Sequence, residues 1–182
     1  MGQINAPQPV LLILAAFSRH KQAFAWAFEQ ATAAWGPVAM TSPRFDFSET
    51  DYYEPTMGPG LSKQFWAFET FIDPARLSEI KQQTNHWEAS YAQLDQHAER
   101  RPLNLDPGYL TLAKLVLAST KDHAHRMYLN QGIYAEVTLR FQHHRWRAWD
   151  WTFPDYRRSD YHEFFSQCRE YIQQGAPRGR ST

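Results

Sequence analysis

Apolar residues run unbroken from Val10 to Phe17 in "VLLILAAF". A continuous run of that length reads as a strand covered on both faces. The spacing then predicts a helix from about His20 to Trp35, with Phe24, Phe28, Ala31 and Trp35 inward and Gly36-Pro37 as its end. "VAMTSPRFDF" is extended but interrupted by Pro43, which places it at an edge or a bend. "SETDYYEPTMGPG" has no periodicity and reads as a long loop, a kind of segment that often carries function. "LSKQFWAFETFI" is the next strand. Asp73-Pro74 opens a long helix, with Asp as N-cap and Pro at the first position. Its inner stripe is Leu77, Ile80, Thr84, Trp87, Tyr91 and Leu94. Lys81, Asn85 and Glu88 form a polar flank that reads as solvated.

The same opening returns at Asp106-Pro107. "IDPARLSEIK" and "LDPGYLTLAK" match in their aliphatic, Asp, Pro, Leu and Lys positions. The match favours a helix over residues 107–120, with a strand as the alternative. "HRMYL-NQG-IYAEVTLRF" predicts a hairpin turning at Asn130-Gln131-Gly132. In its second strand Ile133, Ala135, Val137, Leu139 and Phe141 share one face, and Tyr134, Glu136, Thr138, Arg140 and Gln142 the other. "RWRAWDW" follows as a strand. "SDYHEFFSQCREYI" is a closing amphipathic helix with capping-box spacing at Asp160 and Glu163.

The predicted fold class is α+β. Its first six elements match a ferredoxin-like split βαβ core, to which an antiparallel hairpin or meander and a C-terminal helix are added. Residues 1–8 read as a flexible arm, 9–174 as a single domain and 175–182 as a disordered tail. The 182-residue length suits one domain. Lys plus Arg and Asp plus Glu both number 19, which argues against a dedicated binder of double-stranded DNA. One cysteine, Cys168, excludes an intrachain disulfide and points to a reducing, cytoplasmic setting. Val10–Phe17 is too short to span a bilayer and no Lys or Arg precedes it, so neither a membrane anchor nor a signal peptide is expected. A myristoylation signal fails at Ala6.

Several segments together carry a resemblance: "FDFSETDYYEPTMG", "FETFIDPARLSEIKQQTN", "RPLNLDPGYLTLAKLVLASTKDHAHRMYLNQGIYAEVTL" and "WTFPDY". The chain resembles the domain of unknown function 4416 family of prokaryotes from about Pro9 to Ile172. The long central block is the specific part. The resemblance implies no established activity. No phosphate-binding loop occurs, and "STKD" lacks the spacer between Lys121 and Asp122 that a guanine-reading motif needs.

Candidate chemistry gathers in the central block. Glu136 and Thr138 share a strand face, and Arg126 lies across the hairpin from them. Lys121 and His125 lead into that hairpin, and Asp155 follows the next strand. A basic cluster with one carboxylate suits a small anionic ligand, with His125 or Glu136 as proton carrier. Asp106 and Gly108 are expected at a helix start, where free amides favour an anion. Tyr52 and Tyr53 are expected to cover the ligand, or to pin their loop to the core. The bland alternative is a solvated sheet face with ordinary salt bridges. Eight histidines raise the question of metal, but no HExxH or Cys pair occurs and His143 and His144 point apart, so no metal or other cofactor is expected. RNA is a second candidate partner, through aromatics and "HHRWRAW", although no RNP1 pattern occurs. A non-catalytic interaction protein is a third reading. Whether any reaction follows binding, and the oligomeric state, are left open by the residues.

Overall fold

A computed structural model describes residues 2–175. In chain order the elements are β1 (Val10–Ser18), α1 (Lys21–Trp35), β2 (Val38–Thr41), β3 (Phe45–Phe47), α2 (Glu54–Met57), β4 (Leu61–Ile72), α3 (Leu77–Gln93), β5 (Asn104–Leu110), β6 (Lys114–Ser119), β7 (Met127–Asn130), β8 (Ile133–Gln142), β9 (Arg145–Ala148) and α4 (Ser159–Gln173). The class is mixed α+β on one large antiparallel sheet. Its order is β2-β4-β1-β5-β6-β8-β7, with β3 also beside β4 and β9 also beside β8. The expected disordered tail lies outside the described residues except for Gly175. Residues 2–9 carry no helix or strand and are exposed.

The unbroken apolar run of β1 follows from its place. Leu12, Leu14 and Ala16 pack with α1 and α3 on one face of the sheet. Leu11, Ile13 and Ala15 pack with α4 on the other. A strand covered twice takes apolar side chains on both faces, and its one polar residue, Ser18 at the end, donates to the Pro102 carbonyl. Two residues on predicted inner stripes, Phe28 and Leu94, are instead exposed.

The helix expected over residues 107–120 is not formed; β5 and β6 occupy that stretch. Asp73 does start a helical turn, accepting a hydrogen bond from the Ala75 amide at 2.8 Å. Asp106 has other partners, Lys81 and Asn104. Leu105–Leu110 instead pair residue by residue with Leu11–Ala16 of β1. Pro107 is tolerated because the ladder to β6 begins only at Gly108. Gly108 is required by close strand approach: a Cβ there would stand 2.3 Å from the Val116 carbonyl oxygen. It is therefore not a helix-terminus anion site.

The β7–β8 hairpin turns where predicted, with Gln131 and Gly132 at positive φ. The clean alternation of β8 is broken, however. Leu115 pairs with Leu139 while Val116 pairs with Val137, so Thr138 is an extra residue. A bulge of this kind reverses the phase of the residues beyond it. Ile133 and Ala135 face the α3 side, with Val137 packed against them. Leu139, and Phe141 packed beside it, join the α4-side core. The outer edge of β8 is free between β7 and β9, and a turn after β9 fills it. Trp151 Nε1 donates to the Val137 carbonyl at 3.3 Å, and Thr152 Oγ1 to the Thr138 carbonyl at 2.6 Å. No capping box forms on α4; Asp160 is held by Arg158 and accepts from the Tyr161 amide.

Candidate functional site

Antiparallel pairing brings the start of β4, the end of β1, the start of β5 and the end of β6 to one end of the sheet. Around that end lies a cavity of about 440 Å³. Its walls come from the 49–53 loop, from Lys63, Lys81 and Asp106, from the 117–126 segment, and from Glu136 and Phe153–Tyr156. Each buried charge in it has a partner, as a low-dielectric site requires.

Lys63 on β4 meets Asp155 at 2.5 Å. Its ammonium also sits over the rings of Phe17, Phe47 and Tyr156, at 4.8, 4.6 and 4.9 Å from their centroids. Lys81 on α3 donates to the Leu105 carbonyl at 2.8 Å and to Asp106 at 3.2 Å. Asn104 donates to the other Asp106 oxygen at 2.8 Å and accepts from Arg101. Arg101 pairs with Glu88 at 2.9 Å. Glu88 in turn accepts from the Leu105 amide, which locks α3 to β5. The loop carrying Arg101 is tied to the end of β1 by Glu99, through Arg19 and His20.

On the hairpin side, Glu136 is a hub. It accepts from Arg126 at 2.8 Å and Thr138 at 3.0 Å, with His125 at 3.2 Å. Arg126 also donates to Ser119 Oγ at 2.7 Å and to the Lys121 carbonyl at 3.0 Å. Lys121 donates to the Tyr52 hydroxyl at 2.8 Å. Among the described residues it is a cavity-lining cation with no carboxylate within ion-pair reach.

The electrostatics follow from these contacts. Burial alone would raise the Asp106 carboxyl, but Lys81, Lys63 and Arg101 outweigh it and hold it below the ordinary range. For Glu88 burial wins over Lys81 and Arg101, and the carboxyl is raised. Burial also raises Tyr53 and Tyr156, which stay neutral phenols. Tyr52 is lowered, first by its hydrogen bond from Lys121 and then by that charge.

Of the residues singled out in the sequence, Tyr52, Tyr53, Asp106, Lys121, Arg126, Glu136 and Asp155 all line this cavity. His125 and Thr138 stand behind Glu136, and Gly108 lies away in the strand. The two tyrosines differ in placement. Tyr53 packs edge-on to Phe17 and pins the loop, while Tyr52 is 62% exposed at the mouth. Sequence reasoning missed Lys63 and Arg101, and read Lys81 as solvated. Lys63 had a signal: it falls in phase with Leu61 and Phe65 on the buried face of β4. Lys81 and Glu88 were visible as a spaced pair, but the flank they share is covered by β5 rather than solvated. Among the described residues no group of three or more His, Cys, Asp or Glu side chains is placed to hold a metal ion.

A family model for a domain of unknown function (DUF4416) matches residues 8–171. The chain belongs to that family. The DUF4416 match includes every residue that lines the cavity, and it ends within α4. No match was found among curated proteins or among solved structures.

Proposed function

We propose that the cleft binds a small anionic ligand, with Lys121 as its charge contact and Tyr52 as the cover. The carrying observation is Lys121 itself, a cation on the wall whose only side-chain hydrogen bond among the described residues is to a phenol. The volume suits a small molecule. Arg126 is held rigid by Glu136 and Ser119 and presents a fixed guanidinium edge. Glu136, with its partners in place, serves to fix Arg126. The Tyr52–Lys121 pair is then the better candidate for moving a proton than Glu136 or His125. The β2-β4-β1-β5 half, with α1 and α3 on one face, supports a reading as a ferredoxin-like split βαβ core. One buried free cysteine fits a cytoplasmic setting.

The test is thermal unfolding with a panel of phosphate, pyrophosphate, di- and tricarboxylates and nucleoside phosphates. A true ligand at one hundred times its dissociation constant adds about 2.7 kcal/mol, a rise of roughly 5–10 °C for a chain of this size. Lys121→Ala is expected to abolish that rise and leave the unliganded melting temperature within about 1 °C, because Lys121 is exposed. A panel without effect, or an undiminished rise in Lys121→Ala, overturns the reading.

A further inference from the structure

Cross-strand register sets a second group of cations side by side, away from the cleft. Lys114 of β6 faces Arg140 of β8, and Arg140 faces Arg147 of β9. Residues in register share a face. Their chain neighbours Leu115, Leu139 and Trp146 belong to the α4-side core, so the cations lie on the opposite face. Two strand spacings of about 4.8 Å place the row within roughly 10 Å. Arg145, two residues from Arg147 along β9, projects from the same face.

Like charges directly opposite one another destabilise a sheet. Among the described residues nothing offsets this row: none of its members takes part in an ion pair. The Nε groups of Arg140 and Arg147 and the Nε1 of Trp149 are buried without an acceptor. Arg140 lies over Trp149, 4.0 Å from its ring centroid. Trp149 is parallel to Trp151 at 5.1 Å, and Trp151 to His125 at 5.4 Å. Trp151 is 39% exposed.

We propose that this row binds the phosphodiester backbone of single-stranded nucleic acid, with the exposed part of the Trp151 indole beside it as the contact for bases. Guanidinium groups take phosphate oxygens in bidentate fashion, and an exposed indole next to them contacts bases without regard to sequence. An acidic peptide would use the charges and leave the indole idle. A duplex would need a broader basic face than a row this short. RNA and DNA share the recognised chemistry, and the experiment separates them. The site shares no residue with the cleft wall, so it stands or falls independently of the ligand proposed there.

The test is fluorescence anisotropy of labelled oligouridylate and oligothymidylate of about twelve nucleotides, at low and moderate salt, with polyglutamate as competitor. Binding is expected at about 50 mM salt and should weaken as salt rises. Arg140→Gln with Arg147→Gln should reduce affinity at least tenfold and flatten the log–log salt slope by about 1.4, or 0.7 per lost phosphate contact. Trp151→Ala should weaken binding with the slope unchanged, and Lys121→Ala should have no effect. If the double variant fails to fold, Lys114→Gln at an exposed position carries the same test with a slope change of about 0.7. Tighter binding of one oligonucleotide identifies the natural class. No binding of either, equal binding by the folded double variant, or equal competition by polyglutamate overturns the proposal.

Discussion

The molecule holds two groups of cations, treated in opposite ways. In the cleft, Lys63, Lys81, Arg101 and Arg126 each face a carboxylate. On the outer sheet, Lys114, Arg140 and Arg147 face one another. Burial explains the difference. Lys63 and Asp155 are almost fully buried, where an unpaired charge is prohibitive. In the outer row Lys114 is exposed and Arg140 and Arg147 are partly so, and water at their ends screens the repulsion to a tolerable level. Pairing of the buried cations Lys63, Lys81 and Arg126 is therefore a condition of folding, whereas Lys121, which is exposed, is left without a carboxylate.

The largest expected effect is on the buried pair. Lys63→Met should cost about 3–5 kcal/mol in urea unfolding, because Asp155 is left charged and unpartnered. Lys63→Met combined with Asp155→Leu should cost much less, since neither charge then remains inside. Equal costs for the single and double variants would break the comparison.

The next effect is in acid. The Asp106 carboxyl is held below its ordinary value in the folded chain. Its contribution is therefore complete above the unfolded aspartate value and is lost as pH falls through the lower folded one. Glu88, whose carboxyl is raised, runs the other way: its contribution is present below the ordinary value and lost as pH rises through the raised one. Asp106→Asn should thus lose less stability than wild type below about pH 4, measured by denaturant titration at stepped pH. Parallel curves for the two proteins would show that the Lys81 and Lys63 charges do not bias this carboxyl.

The smallest effect sharpens the other half of the comparison. Arg147→Glu places opposite charges across β8 and β9, and should stabilise the fold by about 0.2–1 kcal/mol. The same change should abolish oligonucleotide binding. A variant that gains stability while losing binding would show that the row is kept for a partner. A destabilised variant would show that Arg147 serves the packing of the outer sheet rather than a partner.

Much of the site was legible because its residues are crowded into one block. Charged side chains among core-forming ones, at Arg126 and Glu136, mark a place where charge is buried, and with the exposed Lys121 they line one cavity. The error over residues 107–120 has a physical cause. Asp-Pro is compatible with a helix start and also with a strand that has no neighbour on one side at the proline. Local chemistry does not separate the two, and the ladder to β1 decides.

The sequence by itself determined the elements whose pattern has a single solution. These are the doubly covered β1, the amphipathic α1, α3 and α4, and the β7–β8 turn at Gln131-Gly132. Only the tertiary structure decided which distant positions meet. Lys63 and Asp155 are 92 residues apart, and Lys121 and Tyr52 are 69 apart. The same holds for the bulge at Thr138, which sends Leu139 to the opposite face from Val137. Periodicity reports which side of its own element a residue occupies. What covers that side depends on strand order and register, and those come from the burial and hydrogen bonding of the whole sheet.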